Sequence, residues 1–435
     1  MGEPLQLSSA SYLLRRRSSG LTGTGPSQQR HALLQLACRV VEPDDWCHRC
    51  GSQGTPRDTV IRRLAHEPLG WRPTTLHVTV RRYRCADCAH VWRQDTTAAA
   101  EPKAKLSRRA LRWALEALVV QHLTVARVAE ALDVRWNTAN DAVLAEGQRL
   151  LIDDPARFDG VTAIGVDEHV WRHTRRGDKY VTVIIDLTPL RAGTGPARLL
   201  DMVEGRSKQA FKTWLAERDQ AWRDQVEVVA MDGFTGFKTA ATEEIPEATA
   251  VMDPFHVVRL AGDALERCRR RVQQQVHGHR GRKQDPLYKA RRTLLTGADL
   301  LTEKQYSRIQ DLFEPDEHVE VEATWTFYQH MVAAYRQTDR AKGRTMMEQL
   351  IAKLGRAVPT KLIELAGLGR TLKKRAADIL AYFDRPGTSN GPTEAINGRL
   401  EHLRGSALGF RNLTNYIARS LLESGGFKPR LHPRL

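Results

Sequence analysis

Three acidic side chains stand where a carboxylate would be held at a fixed place and angle. Asp167 ends the apolar run Val161-Thr162-Ala163-Ile164-Gly165-Val166, and Asp232 ends Val226-Glu227-Val228-Val229-Ala230-Met231. Glu394 falls in the first turn of a helix that opens at Gly391-Pro392-Thr393, with Asn390 or Gly391 as its cap. Carboxylates from two strand ends and a helix can hold two divalent cations about 4 Å apart. Such a pair activates water or a 3′-hydroxyl for in-line attack on a phosphodiester and stabilises the departing oxygen. All-oxygen ligands suit Mg2+ or Mn2+. Taken alone, Glu394 has a plainer reading, an acid answering the positive end of its own helix. Glu168 is turned to the opposite face by strand alternation. Asp253 closes another strand and reads either as support for the other acids or as a turn acid before Pro254. His169 and His173 stand four apart in an extended segment, which argues against a helical zinc-binding pair. The sequence has no Gly-rich phosphate loop and no nucleophile elbow.

A second constellation is chemically separate. Cys47-His48-Arg49-Cys50 and Cys85-Ala86-Asp87-Cys88 are two Cys-x-x-Cys knuckles, and together they offer the four thiolates of a tetrahedral structural Zn2+ site. The remaining two cysteines, Cys38 and Cys268, have no evident partner. This usage is not a disulfide framework and fits a reducing compartment.

A chain of 435 residues is too long for one core. With 41% hydrophobic and 27% charged residues it reads as globular, and a net charge of +16 favours a polyanion partner over an acidic small molecule. No apolar run reaches the length of a membrane span or forms a secretory core, so a cytoplasmic protein is expected. Residues 1–30 read as a disordered basic arm. Residues 31–100 read as a zinc ribbon, with an alternating strand from Thr75 to Arg84 whose Arg81, Arg82 and Arg84 can meet phosphates. Residues 101–155 read as a helix-turn-helix. The start of its second helix would present Arg135, Trp136, Asn137 and Asn140 to base edges or phosphates, although a plain helical hairpin has the same periodicity.

Across 156–256 the periodicity becomes that of strands. Three of them, at Val161–Trp171, Lys179–Leu187 and Ala197–Val203, precede a helix from Ser207 to Trp222. The strand ending at Asp232 and a short strand from Ala248 to Met252 follow. This order is the ribonuclease-H-like α/β layout, in which the acids ending the first and fourth strands converge. Residues 257–385 are mostly helical. Within them, Arg259 to Arg292 carries eleven Lys or Arg against three Asp or Glu, so Arg269, Arg270 and Arg271 are read as DNA-backbone contacts in preference to a solvated face. Residues 386–425 return to the core. Ile396, Leu400 and Leu403 form an apolar stripe there, and Glu394, Asn397, Glu401 and Arg404 a polar one. Residues 426–435 are a tail.

In this order the motifs resemble the ISL3 family of bacterial insertion-sequence transposases. The residues that carry the likeness are the four-cysteine ribbon with Arg81-Arg82-Tyr83-Arg84-Cys85, the helix-turn-helix at 124–145, Gly165-Val166-Asp167-Glu168, Met231-Asp232 and Asp253-Pro254-Phe255-His256-Val257-Val258. Asn390-x-x-x-Glu394-x-x-Asn397, Arg404 and Gly409-Phe410-Arg411-Asn412 complete it, over roughly residues 35–425. The resemblance implies a DDE core with Asp167, Asp232 and Glu394 as its triad and a helical insertion before the Glu. Asp253, His256, Asn390, Asn397 and Arg404 become candidates to support the triad or touch DNA. It further implies N-terminal modules that bind terminal inverted repeats. Double-stranded DNA, as element end and as target, is the expected partner, met by a homodimer or larger oligomer at the bacterial nucleoid. No small-molecule substrate is expected. Arg399 stands where a Lys is commoner in the family. A transposase-derived regulator without catalysis would have no need of three acids. A nuclease with the same core and no strand transfer stays open.

Overall fold

A computed structural model describes residues 33–174, 177–355 and 358–432. The basic arm expected at 1–30 lies outside the described residues, as does the end of the tail. The protein is mixed α/β and divides into two compact units, one reaching residue 157 and resuming at 403, the other comprising 158–402.

The first unit opens with one sheet of four strands, β1 (Leu34–Arg39), β2 (Gly54–Leu69), β3 (Arg72–Cys85) and β4 (Val91–Arg93). β3 pairs antiparallel with β2 and β4 and parallel with β1. Gly70 and Trp71, both at positive φ, make the tight turn between β2 and β3. Only part of β3 is legible as a strand in the sequence. The first half of β2 is largely solvent-exposed and rich in Arg, Asp and Thr, so no alternation marks it. Leu64, Val78, Val80 and Ala100 form the core of this sheet. Three helices follow, α1 (Arg108–Val119), α2 (Val125–Ala131) and α3 (Trp136–Gly147). Ser107 and Thr124 cap the first two by accepting from the backbone N–H groups of Ala110 and Arg127. Between α2 and α3, Asp133 adopts a φ of 50°.

The second unit is built on a sheet of strand order β7-β6-β5-β8-β9, comprising β5 (Ala163–Val170), β6 (Tyr180–Asp186), β7 (Arg198–Glu204), β8 (Val228–Met231) and β9 (Thr249–Met252). β5, β6 and β7 are antiparallel neighbours, whereas β5, β8 and β9 run parallel. β8 is buried along its whole length, as a parallel strand covered on both faces must be. Around the sheet lie α4 (Thr188–Ala192), α5 (Lys208–Ala216), α6 (Gln220–Gln225) and α7 (Thr235–Glu244). The single helix expected from Ser207 to Trp222 is two: the first ends at Ala216, and Asp219 caps the second by accepting from the N–H of Trp222.

A long helix, α8 (Pro254–His277), then leads into α9 (Pro286–Ala290), α10 (Glu303–Phe313), α11 (Val319–Arg336), α12 (Arg340–Gly355), α13 (Ile363–Lys374) and α14 (Ala376–Asp384). Val257, Ala261, Ala264, Leu265, Cys268 and Val272 form the buried stripe of α8, packed in one core with Val321 and Met331 of α11 and Leu368 and Leu372 of α13. Next comes α15 (Gly391–Ser406), with Ile396, Leu400 and Leu403 all buried as the stripe requires. The final helices, α16 (Leu413–Ser424) and α17 (Lys428–Leu431), pack within the first unit on α1 and α3, and Leu422 closes against Gly147. No helix among the described residues is long and apolar enough to cross a membrane.

Candidate functional site

Val166 pairs with Met231 across the parallel β5–β8 ladder, so Asp167 and Asp232 follow paired residues on neighbouring strands. Each carboxylate is oriented by a local backbone N–H. Asp167 Oδ1 accepts from Glu168 at 2.8 Å, and Asp232 Oδ1 accepts from Phe234 at 2.8 Å. Asp167 Oδ2 also accepts from the Asn397 amide at 3.0 Å, which joins β5 to α15. Burial pushes the Asp167 carboxyl up to about 7; the N–H of Glu168 opposes that shift and the charge of Asp232 adds to it. A carboxylate made this costly to ionise favours a cation as its neighbour. Glu168 is exposed and ion-paired with Arg206 at 3.0 Å, on the face away from Asp167 as alternation predicts.

The start of α15 is fixed by a close approach. A Cβ on Gly165 would stand 2.8 Å from both Thr393 Oγ1 and Ile185 Cγ1, so only glycine lets helix and strand meet there. The buried Thr393 hydroxyl donates to Asn390 Oδ1 at 2.6 Å, and the Asn390 N–H donates to Asp253 Oδ1 at 2.6 Å. Asp253 Oδ2 in turn accepts from the N–H of Phe255 at 3.0 Å and caps α8. Asp253 is therefore an anchor between α8 and α15, and Asn390 is fully buried, which removes it from any contact with DNA. His256 Nδ1 lies 3.5 Å from Asp253 Oδ2. Asp253 first, then Asp232 and Asp167, raise the imidazole pKa above its ordinary value against the opposing effect of burial.

Glu394 is exposed in the first turn, its N–H donating to Asn390 O at 3.1 Å. Among the described residues, Asp167, Asp232 and Glu394 are not a set whose ligand atoms all lie within 4.8 Å of one another. Ligands spread around two ions about 4 Å apart do not need to be so close. Asn397 Oδ1 is buried without a hydrogen-bond partner, a free acceptor beside Asp167. Arg404 sits in the last turn of α15, among the residues of the first unit.

The four cysteine sulfurs do lie within 4.8 Å of one another. Cys47 and Cys88 are 3.6 Å apart, and Cys50 is 3.4 Å from both Cys85 and Cys88. A tetrahedron of thiolates about 2.3 Å from a Zn2+ ion has edges of about 3.8 Å. The fit is close, and Tyr83 and Trp92 pack behind the sulfurs.

The expected DNA-facing residues divide. Arg81, Arg84, Arg135, Trp136 and Asn137 are exposed, while Arg82 is held by Asp58. Asn140 does not join them. It is 6% exposed, because the helix turns that position toward the core with Ala139 and Val143. The arginine cluster on α8 is corrected too. Arg269 is 3% exposed, with both ends of its guanidinium on Glu266 and a further bond to Gln273. Arg271 is paired with Glu364 and Glu320. Arg270 alone of the three is exposed, and it too meets Glu266. Helical and tertiary partners thus take up the charge of these three arginines, which a count of residues reads as free.

Sequence reasoning missed Gly165 and Thr393 as positioning residues, although an isolated glycine inside a strand is a signal of close approach. It also missed Arg375, which donates to the carbonyl of Gly233, next to Asp232, at 3.2 Å and to Asp378 at 2.6 Å. Lys238 of α7 meets the same Asp378 at 2.8 Å. Nothing in the sequence links positions so far apart.

Comparison with known proteins adds an independent line. A family model described as a transposase, of the ISL3 type, matches residues 164–420. The transposase for insertion sequence element IS1557 of Mycobacterium tuberculosis is 25% identical over 336 residues, 71% of either chain. The transposase for insertion sequence element IS1001 of Bordetella parapertussis is 24% identical over 377 residues, 84% of this chain and 85% of that one. Among solved structures, the Drosophila P element transposase strand transfer complex aligns with 72% of this chain and 90% of its own, at 12% identity and a TM-score of 0.40.

Proposed function

The chain belongs to the ISL3 family of transposases, and on that premise we propose that it binds the terminal inverted repeats of an insertion sequence, cleaves the DNA there and joins the freed 3′-hydroxyl to target DNA. The observation that carries this reading is the register of β5 and β8, which sets Asp167 beside Asp232, together with the Asn397–Asp167 bond that ties in the helix bearing Glu394. The strand order β7-β6-β5-β8-β9, with two antiparallel and two parallel steps, supports a ribonuclease-H-like core made of 156–256 and 386–402, with 257–385 as its helical insertion; residues 403–425, expected in that core, fall in the first unit instead.

Asp167, Asp232 and Glu394 would hold Mg2+ or Mn2+. When bound, these ions activate the attacking oxygen and neutralise the departing one. The protein itself orients each Asp by a backbone N–H, withdraws Asp167 from water and brings Asn397 against it. In the first unit, Cys47, Cys50, Cys85 and Cys88 would hold Zn2+ and stiffen the ribbon that carries Arg81 and Arg84. The α2–turn–α3 segment, with Arg135, Trp136 and Asn137 exposed at the start of its second helix, supports the helix-turn-helix reading. DNA is the partner, met as an oligomer on the element's ends.

The test is cleavage. Purified protein with Mg2+ should nick a duplex carrying the element's end, and Glu394→Gln should abolish nicking while binding of that duplex persists. Undiminished cleavage by the variant would remove Glu394 from the role. Covalent joining of the cleaved 3′ end to a second duplex distinguishes a transposase from a nuclease.

A further inference from the structure

Two tetrapeptides in the second unit repeat one design. Met231-Asp232-Gly233-Phe234 follows β8, and Met252-Asp253-Pro254-Phe255 follows β9. The parallel strands pair Met231 with Met252, so the two motifs leave the same edge of the sheet in step. In each, the Asp side chain folds back to accept from the N–H of its own Phe, at 2.8 Å for Phe234 and 3.0 Å for Phe255. The backbone of both aromatic residues is thereby pinned. Their rings are left in solvent, Phe234 42% exposed and Phe255 58% exposed. The sequence has ten phenylalanines, and the other eight are buried or half-buried. Phe234 stands edge-on to Phe237 at 5.0 Å, and Phe255 edge-on to His256 at 5.8 Å. Each ring is thus braced by an aromatic neighbour.

Two exposed, braced rings at one edge of the sheet offer a flat apolar surface to a ligand. The edge that carries both rings also carries Asp232 and lies beside Asp167, where the proposed function puts the scissile phosphate. The flat apolar surface that DNA brings to that place is a base, and a base becomes available only when it leaves the duplex stack. We infer that Phe234 and Phe255 form a stacking platform for an unpaired nucleotide next to the cleaved phosphodiester. This inference rests on the proposed DNA-cleaving function. The rings bind a face common to every base, so the platform confers a preference for unstacked DNA and none for sequence.

The experiment measures binding of the full chain, zinc-loaded and with Ca2+ in place of Mg2+, to two fluorescein-labelled duplexes that both carry the element's end. One is fully paired and the other has a central bubble of unpaired thymines. The wild type should prefer the bubble by roughly tenfold, the scale of one stacked base. In the double variant Phe234→Ala, Phe255→Ala the ratio should fall to near one, with an unchanged melting temperature showing that the fold survives. Phe255→Trp should keep the preference, since indole stacks at least as well. An equal preference in wild type and double variant would overturn the platform. So would a drop in oligomeric state with the preference retained, which would assign the rings to a subunit contact. Failure to bind either duplex would instead overturn the proposed function itself, whereas binding of both without preference overturns the platform alone.

Discussion

Asp167 keeps its proton into the neutral range because its surroundings offer an ionised carboxylate little water and another negative charge. The sign of the consequence is fixed by linkage. A carboxyl raised from 3.8 to about 7 binds more protons folded than unfolded between those values, so the second unit should lose stability as pH rises from about 4 to 7. Asp167→Asn should flatten that slope and raise the urea midpoint at pH 8, while cleavage is lost. Added Mg2+ should stabilise the wild type more at pH 8 than at pH 6, because ion and proton compete for the same oxygen, and urea melts at the two pH values check both statements. Arg269 illustrates the opposite outcome at this scale. Its partners Glu266 and Gln273 lie three and four residues away on its own helix, so its charge is spent within the fold and its loss should leave DNA affinity alone.

At the scale of elements, the decisive contact is β5 against the first turn of α15. Gly165 and Thr393 meet where a methyl group has no room, and the chain Thr393–Asn390–Asp253 carries the constraint on to α8. Gly165→Ala should cost about 1–3 kcal/mol by overpacking. Because Asn397 rides on the same helix, the displaced helix should also slow cleavage at least tenfold, a larger effect than the stability loss alone would cause. Thermal melts and single-turnover nicking separate the two. The glycine was visible in Gly165-Val166-Asp167-Glu168, but its partner was not, since Thr393 lies 228 positions further along the chain.

At the scale of the whole molecule, the cysteine-bearing sheet of the first unit rests on different physics from the second unit. The second has large apolar cores around Trp214 and Phe237 and around α8. The sheet of the first has two small clusters, one of them built directly behind the cysteines. Small cores of this kind depend on a metal, as zinc modules do generally. Cys85→Ser, or chelation of zinc, should therefore abolish binding of the element's end and remove a melting transition. The transition belonging to residues 158–402 should keep its midpoint. Calorimetry with and without chelator reads both, and a first unit that melts unchanged without zinc would refute the structural site.

Much of this protein is legible in the sequence because its signals are local. The four-cysteine spacing, the apolar runs of β5, β6 and β8, and the helix start at Asn390 to Glu394 each depend on a few consecutive residues and appear where their periodicity or capping chemistry puts them. Only tertiary structure decided which polar groups remained free to act. It paired Arg269 and Arg271, buried Asn140 and Asn390, turned Asp253 into a helix anchor, and brought Arg375 to the carbonyl beside Asp232. It also made the half-exposed β2 a strand by pairing it with β3. The reason is physical. A secondary-structure signal is set by neighbours in the chain, whereas the charge, solvation and reach of a side chain are set by neighbours in space.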